Sequence, residues 1–419
     1  MRWIGCLLCL LVTAVVTAQE RAEKVDERIS ELNEQMEVLT NRLNEGLQLH
    51  GFISQGWMKS GNNWLGNTED GSFDFNEFGL NVMTNLSENF HLGMQMMSRE
   101  MGHYSTGSMT IDWAYGDYQF DERMGVRVGR VRTPIGMHNE SRDIDPLRVP
   151  IFLPQSVYAE STRDVTSAVN GLALYGNLEL GRAGSFDYLT WVGGITINPD
   201  EGLGRLIEDS GVFIVNDIDI DYSVGCNVYW NTPLHGLRLT GVYDAGRGVE
   251  ITQVTTAALI PMGIPAGTPA TGTIAELEIS GGGVGYDLGR LNLSAEYSYI
   301  RGDMETSIAN GAVTMTQNID YEGYYGMATY ELTHRLAIAG SYSEYYPNAD
   351  DRDGTTKVKD WYAWQKDAAL STRYNITPNW SIKGEIHFIN GTGQLLRGDN
   401  PDGYDKHWRS YLLKTSYTF

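Results

Sequence analysis

The chain is poor in cysteine, in positive charge and in long apolar runs, and each shortage excludes something. Of three cysteines, Cys6 and Cys9 sit in an apolar leader, so Cys226 alone remains beyond it and no intramolecular disulfide can form there. Lysine and arginine number 31 against 53 acidic residues, a formal net charge of -22. Phosphate backbones need a basic face, so this balance argues against a nucleic-acid partner. Beyond the leader no stretch reaches the roughly eighteen apolar residues of a transmembrane helix. A closed set of strands remains available for crossing a membrane, because it satisfies every backbone group with only alternate residues apolar.

The leader MRWIGCLLCLLVTAVVTAQ carries one positive charge, Arg2, an apolar run from Trp3 to about Val16, and small residues before a cut after Ala18. This reads as a secretory signal peptide over residues 1–18. Residues 19–47 are of another kind: Val25, Ile29, Leu32, Met36, Leu39 and Leu43 follow the spacing of a heptad seam, with charged and amide residues between, and Gly46 ends it. The segment is expected to be a periplasmic amphipathic helix, either lying on the rest of the protein or forming a short coiled coil between copies.

From about residue 48 the period becomes two and stays so to residue 419. In NDIDIDYSVGCNVYW, Ile218, Ile220, Tyr222, Val224, Cys226, Val228 and Trp230 share one face, while Asp217, Asp219, Asp221, Ser223, Gly225, Asn227 and Tyr229 share the other. One face suits lipid and the other water. Short turns at 86–89, 121–125, 181–184, 231–236, 287–290, 332–335 and 375–379 alternate with longer connections near 59–71, 100–108, 132–168, 195–215, 247–272, 301–316, 345–359 and 389–405. These connections divide the chain into about sixteen strands, the even count of an antiparallel transmembrane barrel with short periplasmic turns and long outer loops. All twelve prolines fall in the proposed loops or turns, as a ladder without edges requires. The expected fold is all-β: a transmembrane antiparallel β-barrel preceded by a short helical segment.

The segments LHGFISQGW (49–57), FDFNEFGLNV (73–82), DWAYGDYQF (112–120), GRVRTPIG (129–136), LPQSVY (153–158) and the final YLLKTSYTF (411–419) resemble trimeric Gram-negative outer-membrane porins, in particular those with an N-terminal periplasmic helix, the phosphate-selective type included. The resemblance implies a homotrimer in the outer membrane, in contact with lipid and lipopolysaccharide. It implies a third outer loop, here about 132–168, folded inward to narrow a water-filled pore. It also implies that the terminal aromatics, Tyr417 and Phe419, are read by the barrel-assembly machinery.

A pore acts through its radius and the charges that line it. The third loop offers Arg132, Arg142, Arg148 and Arg163 against Glu140, Asp143, Asp145, Glu160 and Asp164. These groups either orient solutes across the throat or pair with one another and with the wall to hold the loop. On the strands, Arg127, Arg238, Lys383 and Lys414 are basic lumen candidates, interleaved with Asp112, Asp244, Glu296, Asp320, Glu322 and Glu385. That mixture departs from the basic ladder of a phosphate channel. Asp217, Asp219 and Asp221 lie about 7 Å apart on one strand face, as an acidic rung of the lumen wall or simply as a solvated surface. The histidines show no metal-ligand spacing, and no cofactor is implied.

The functional expectation is passive diffusion of small hydrophilic solutes. A channel selective for anions such as phosphate, or for small organic acids or sugars, is the variant within the same class. An outer-membrane enzyme and a structural tether are the readings from other classes. In YLLKTSYTF, Tyr411, Leu413, Thr415, Tyr417 and Phe419 are expected on the lipid face of a sixteenth strand that closes on the first.

Overall fold

The computed structural model describes residues 46–419 except Ser141, together with residues 28, 30, 32 and 36. The expected signal peptide lies outside the described residues. Of the expected amphipathic helix, the four isolated positions are helical and exposed, and nearly all the rest also lies outside.

Sixteen strands form one closed antiparallel barrel. They are β1 (Gln48–Ser60), β2 (Phe75–Ser87), β3 (Phe90–Met101), β4 (Thr106–Asp121), β5 (Met124–Arg132), β6 (Ala168–Glu179), β7 (Ser185–Gly194) and β8 (Phe213–Asn231). The second half comprises β9 (Leu237–Thr255), β10 (Pro269–Leu288), β11 (Leu291–Ile308), β12 (Val313–Glu331), β13 (Leu336–Tyr346), β14 (Gln365–Thr377), β15 (Trp380–Gly391) and β16 (His407–Thr418). Each strand pairs with its sequence neighbours, and β16 closes on β1 in a register running from Phe52 opposite Thr418 to Ser60 opposite Ser410. Closure leaves no edge to pair with other chains. All seven expected short turns are present, at one end of the barrel.

Residue alternation explains the strands. Along β16, Tyr411, Leu413 and Tyr417 are exposed, whereas Leu412, Lys414 and Ser416 between them are almost fully buried. Near the short-turn end the outward face is apolar and the inward face polar, as expected for a wall between lipid and water. In the same region of β8, Tyr222, Val224 and Val228 stand outward, and Ser223 and Asn227 are buried inward.

Toward the long-loop end this pattern inverts on β8, β9 and β10. Ile218 and Ile220 are buried in one cluster with Val165 of the third loop, so they face inward, and Asp217, Asp219 and Asp221 stand on the opposite, exposed face. The expected lumen position of these three aspartates is therefore incorrect. Asp219 pairs directly with Glu250 of β9, a like-charge contact tolerable in water but not inside a narrow throat. The inversion falls at one row of the sheet, where neither Asp221 nor Gly248 nor Ala275 takes part in the ladder. Gly248 has φ +63°, a backbone conformation that a side chain would resist, and such a local irregularity re-aims the residues beyond it.

Two expected loops are shorter than their polarity implied. Residues 247–255, 269–272, 301–308 and 313–316 belong to β9, β10, β11 and β12, leaving only 309–312 between β11 and β12. The acidic and polar residues that read as loop are the water-facing sides of strands of 18–20 residues. Pro269 opens β10, a position where its missing N–H disturbs no established ladder.

The third loop, 133–167, enters the barrel. A short helix, α1 (Arg163–Thr166), lies at its end; a second, α2 (Gly202–Glu208), lies in the loop between β7 and β8. Both pack on the inward apolar wall of β8 to β10, and on the opposite side Ile151 and Phe152 of the third loop pack with Trp64, Phe75 and Trp408.

Candidate pore-lining site

The neck of the third loop is closed by short-range bonds. The Asn139 side-chain amide donates to the carbonyls of Thr133 (2.6 Å) and Thr166 (2.8 Å), and Thr133 Oγ1 donates to the Thr166 carbonyl at 2.9 Å. From that neck the loop reaches across the lumen to strands far away in sequence. Glu296 on β11 accepts hydrogen bonds from the Met137 backbone N–H (2.6 Å), from Tyr158 Oη, and from Tyr325 Oη (2.6 Å). Glu385 on β15 accepts the backbone N–H groups of Ile151 (2.7 Å) and Phe152 (3.0 Å), and is itself held by Ser371 and by His387, whose other ring nitrogen meets Asp367. Carboxylates that accept several N–H and O–H bonds are strong anchors, because charge-assisted bonds exceed neutral ones.

Two charge networks complete the attachment. In the first, Arg132 Nη2 lies 3.0 Å from Asp112 Oδ2 and 3.1 Å from Asp143 Oδ2, and Arg163 contacts the same two carboxylates. In the second, Arg99 joins Glu77 to Glu160, Arg142 meets Glu160 at 3.0 Å, Lys414 bonds Glu77, and Asp145 is held 3.0 Å from both Lys383 and Lys414. Ser416 donates to Asp145 at 2.6 Å, and Arg148 approaches Asp145 at 3.7 Å. Burial alone would favour the neutral acids. The surrounding cations prevail: Arg163, Arg132 and Arg142 hold Asp143 down to about 2. Asp145 is likewise depressed by Lys383, Lys414 and Arg148, and Glu160 by Arg142, Arg99 and Arg163. Asp164 in α1 behaves oppositely, its burial raising it to about 6.

Of the two roles open to the loop charges, the geometry realises pairing for Arg132, Arg142, Asp143, Asp145 and Arg163. Glu140 remains exposed, and its backbone carbonyl accepts from Arg132. The inward candidates are also paired: Arg127 with Asp117 at 3.0 Å between the rings of Tyr115 and Tyr175, and Arg238 with Asp187 at 3.1 Å beneath Tyr229. Lys383 and Glu385 point inward, and both lie beneath the third loop rather than in open water. Sequence reasoning did not single out Glu77, Arg99, Tyr158 or Tyr325. Glu77, Arg99 and Tyr325 lie on strands whose local sequence does not reveal that a distant loop meets them, and Tyr158 lies on that loop, where no local pattern names its partner.

No protein-family model matches the chain, nor does any curated protein sequence. Solved structures do. OmpF of Salmonella typhi, in complex with daunomycin, matches with a TM-score of 0.55 at 14% identity, over 90% of this chain and 98% of that one. Outer-membrane expressed OmpT of Vibrio cholerae matches with a TM-score of 0.51 at 10% identity, over 89% of this chain and 97% of that one. The in-vitro folded OmpT of the same organism, in its trimer form, gives 0.51 at 10% identity, over 89% and 99%. At such identities the likeness is one of fold, and what this chain shares with these outer-membrane proteins is the course of a closed barrel.

Proposed function

We propose that the protein is an outer-membrane porin, a channel rather than an enzyme, through which small hydrophilic solutes diffuse passively past a lumen narrowed by the third loop. One observation carries this reading: the longest loop of a closed barrel is pinned across its interior, to Glu296 on one side and to Glu385, Lys383 and Lys414 on another. A loop fixed this firmly holds a constant pore radius without spending entropy on each passage. The apolar outward face near the short turns supports residence in lipid, and export by a cleaved signal peptide would bring the chain to the outer membrane. The assembly is proposed to be a homotrimer, folded by the barrel-assembly machinery and bordered by lipopolysaccharide.

The pairing of Arg127, Arg238, Lys383 and Lys414 with carboxylates favours a general pore over a phosphate-selective one, because no unpaired basic ladder is left among these candidates. Purified protein in planar bilayers tests the proposal. Stepwise, weakly selective conductance is expected. Absence of channels from assembled protein would refute the channel reading, and strong anion selectivity would restore the phosphate alternative.

A further inference from the structure

The inverted alternation on β8, β9 and β10 gives the barrel an apolar inner wall where a water-filled vestibule would call for a polar one. Loop residues cover part of it: Val165 of α1 and Leu203 and Ile207 of α2 pack against Ile218, Ile220, Val249 and Ile251. Cover is incomplete. A cavity of about 450 Å³ remains between α2 and the wall, bounded by residues such as Leu206, Ile251, Ile274, Leu277 and Met304. Packed interiors rarely leave voids much larger than a water molecule, and a purely structural core would have closed over this one. The volume lies in the range of small-molecule sites.

Its lining has two chemical features. No Asp, Glu, Lys, Arg or His contributes to it, although charged pairs crowd the neighbouring third loop. Two buried polar side chains do, Thr306 of β11 and Gln253 of β9; Gln253 is only 2% exposed, and its Oε1 has no hydrogen-bond partner. An amide oxygen left unpaired among aliphatic side chains is costly, and a ligand donor that turns the amide toward the cavity would satisfy it.

We propose that this vestibule cavity is a binding site for a small, uncharged, largely apolar molecule carrying one hydrogen-bond donor, seated on Ile251, Ile274 and Met304 with its donor on Gln253. The absence of ionisable lining excludes charged solutes as its ligands. The lengthened strands β8 to β12 have a role in this arrangement, since they raise the wall that the site needs. The inference extends the channel reading by naming a solute class that dwells in the vestibule, and it rests on the barrel and its loops rather than on conduction itself.

Indole is the probe, titrated by ligand-observed NMR against the protein in nanodiscs, with empty nanodiscs as reference; the heat-shift gel mobility of the same preparations reports assembly, and conductance is recorded separately. Saturable binding above the empty-disc background is expected. Ile251→Asp, which places a charge in the apolar wall, and Ile251→Trp, which fills the space while remaining apolar, should each abolish it. Having two variants guards against one failing to fold. Gln253→Leu should weaken indole about fivefold, the loss of one neutral hydrogen bond, and leave 1-methylindole, which has no donor, unchanged. Binding no greater than in empty nanodiscs, or equal in wild type and in an assembled Ile251→Trp barrel, overturns the proposal. An equal loss of indole and 1-methylindole in Gln253→Leu overturns the assignment of the donor to Gln253. Indole binding by a barrel that conducts nothing would refute the channel reading while leaving this site standing.

Discussion

Lys414 of β16 and Asp145 of the third loop face each other at 3.0 Å with both side chains sealed from solvent. Such a contact is weak as a general stabiliser, because desolvation offsets much of the attraction, but it is unforgiving of losing one partner. Asp145→Asn would leave Lys383 and Lys414 with fewer counter-charges beneath the loop, at a cost of about 3–5 kcal/mol. The loss should loosen the loop before it unfolds the barrel. Single-channel recording should show a larger, noisier conductance with the heat resistance of the assembled barrel largely kept.

Glu296 provides an independent test of the same attachment. Glu296→Gln keeps the shape but loses the charge, and each bond from Met137, Tyr158 and Tyr325 then weakens by about 1 kcal/mol. Raised conductance is expected, smaller in effect than for Asp145→Asn. A double variant should be less than additive if both residues hold one loop.

Acidification should act in two separate windows. Asp164 is raised to about 6, so its charged form opposes folding above that pH; protonation as pH falls from 7 to 5 should add stability and remove one negative charge from the vestibule. Asp143, held down to about 2, contributes stability that is present above the ordinary carboxylate range and is lost only as pH falls through about 2. Asp145 and Glu160, both depressed, follow the same sign. Conductance and melting temperature followed from pH 8 to 2 should show a small step near 6, absent from Asp164→Asn, and a large loss only at strong acidity.

Asp217, Asp219 and Asp221 stand on the outer face of β8, away from the lumen. Replacing all three by Asn should leave the ion selectivity of the open channel unchanged within error. A marked loss of cation preference in reversal-potential measurements would return them to the pore wall.

The seam of the barrel extends to the backbone of Phe419. The N–H of Gly51 donates to the Phe419 carbonyl and that of Phe419 to the Gly51 carbonyl, both at 3.0 Å, extending the β1–β16 ladder. Deleting Phe419 removes both bonds and the terminal aromatic. Slower, incomplete assembly on heat-shift gels is expected, with normal conductance from those barrels that do form.

The sequence alone determined the barrel. A period of two, prolines confined to connections, and the rhythm of short turns and long loops are local properties, and each follows from the backbone's need to close its hydrogen bonds around a barrel without edges. On the same alternation Tyr411, Leu413 and Tyr417 lie outward and Lys383, Glu385 and Lys414 inward. It failed at Asp217, Asp219 and Asp221 because alternation tells two faces apart but not which is inside. Apolar was equated with lipid, whereas beyond the irregularity at Asp221 and Gly248 the apolar face turns inward to meet α1 and α2. That orientation, the landing of the third loop on Glu296, Glu385 and Lys414, and the cavity beside Gln253 depend on residues brought together from up to hundreds of positions apart. Only the closed tertiary structure decides them, because a loop's partners are fixed by the circumference it must cross and not by its own sequence.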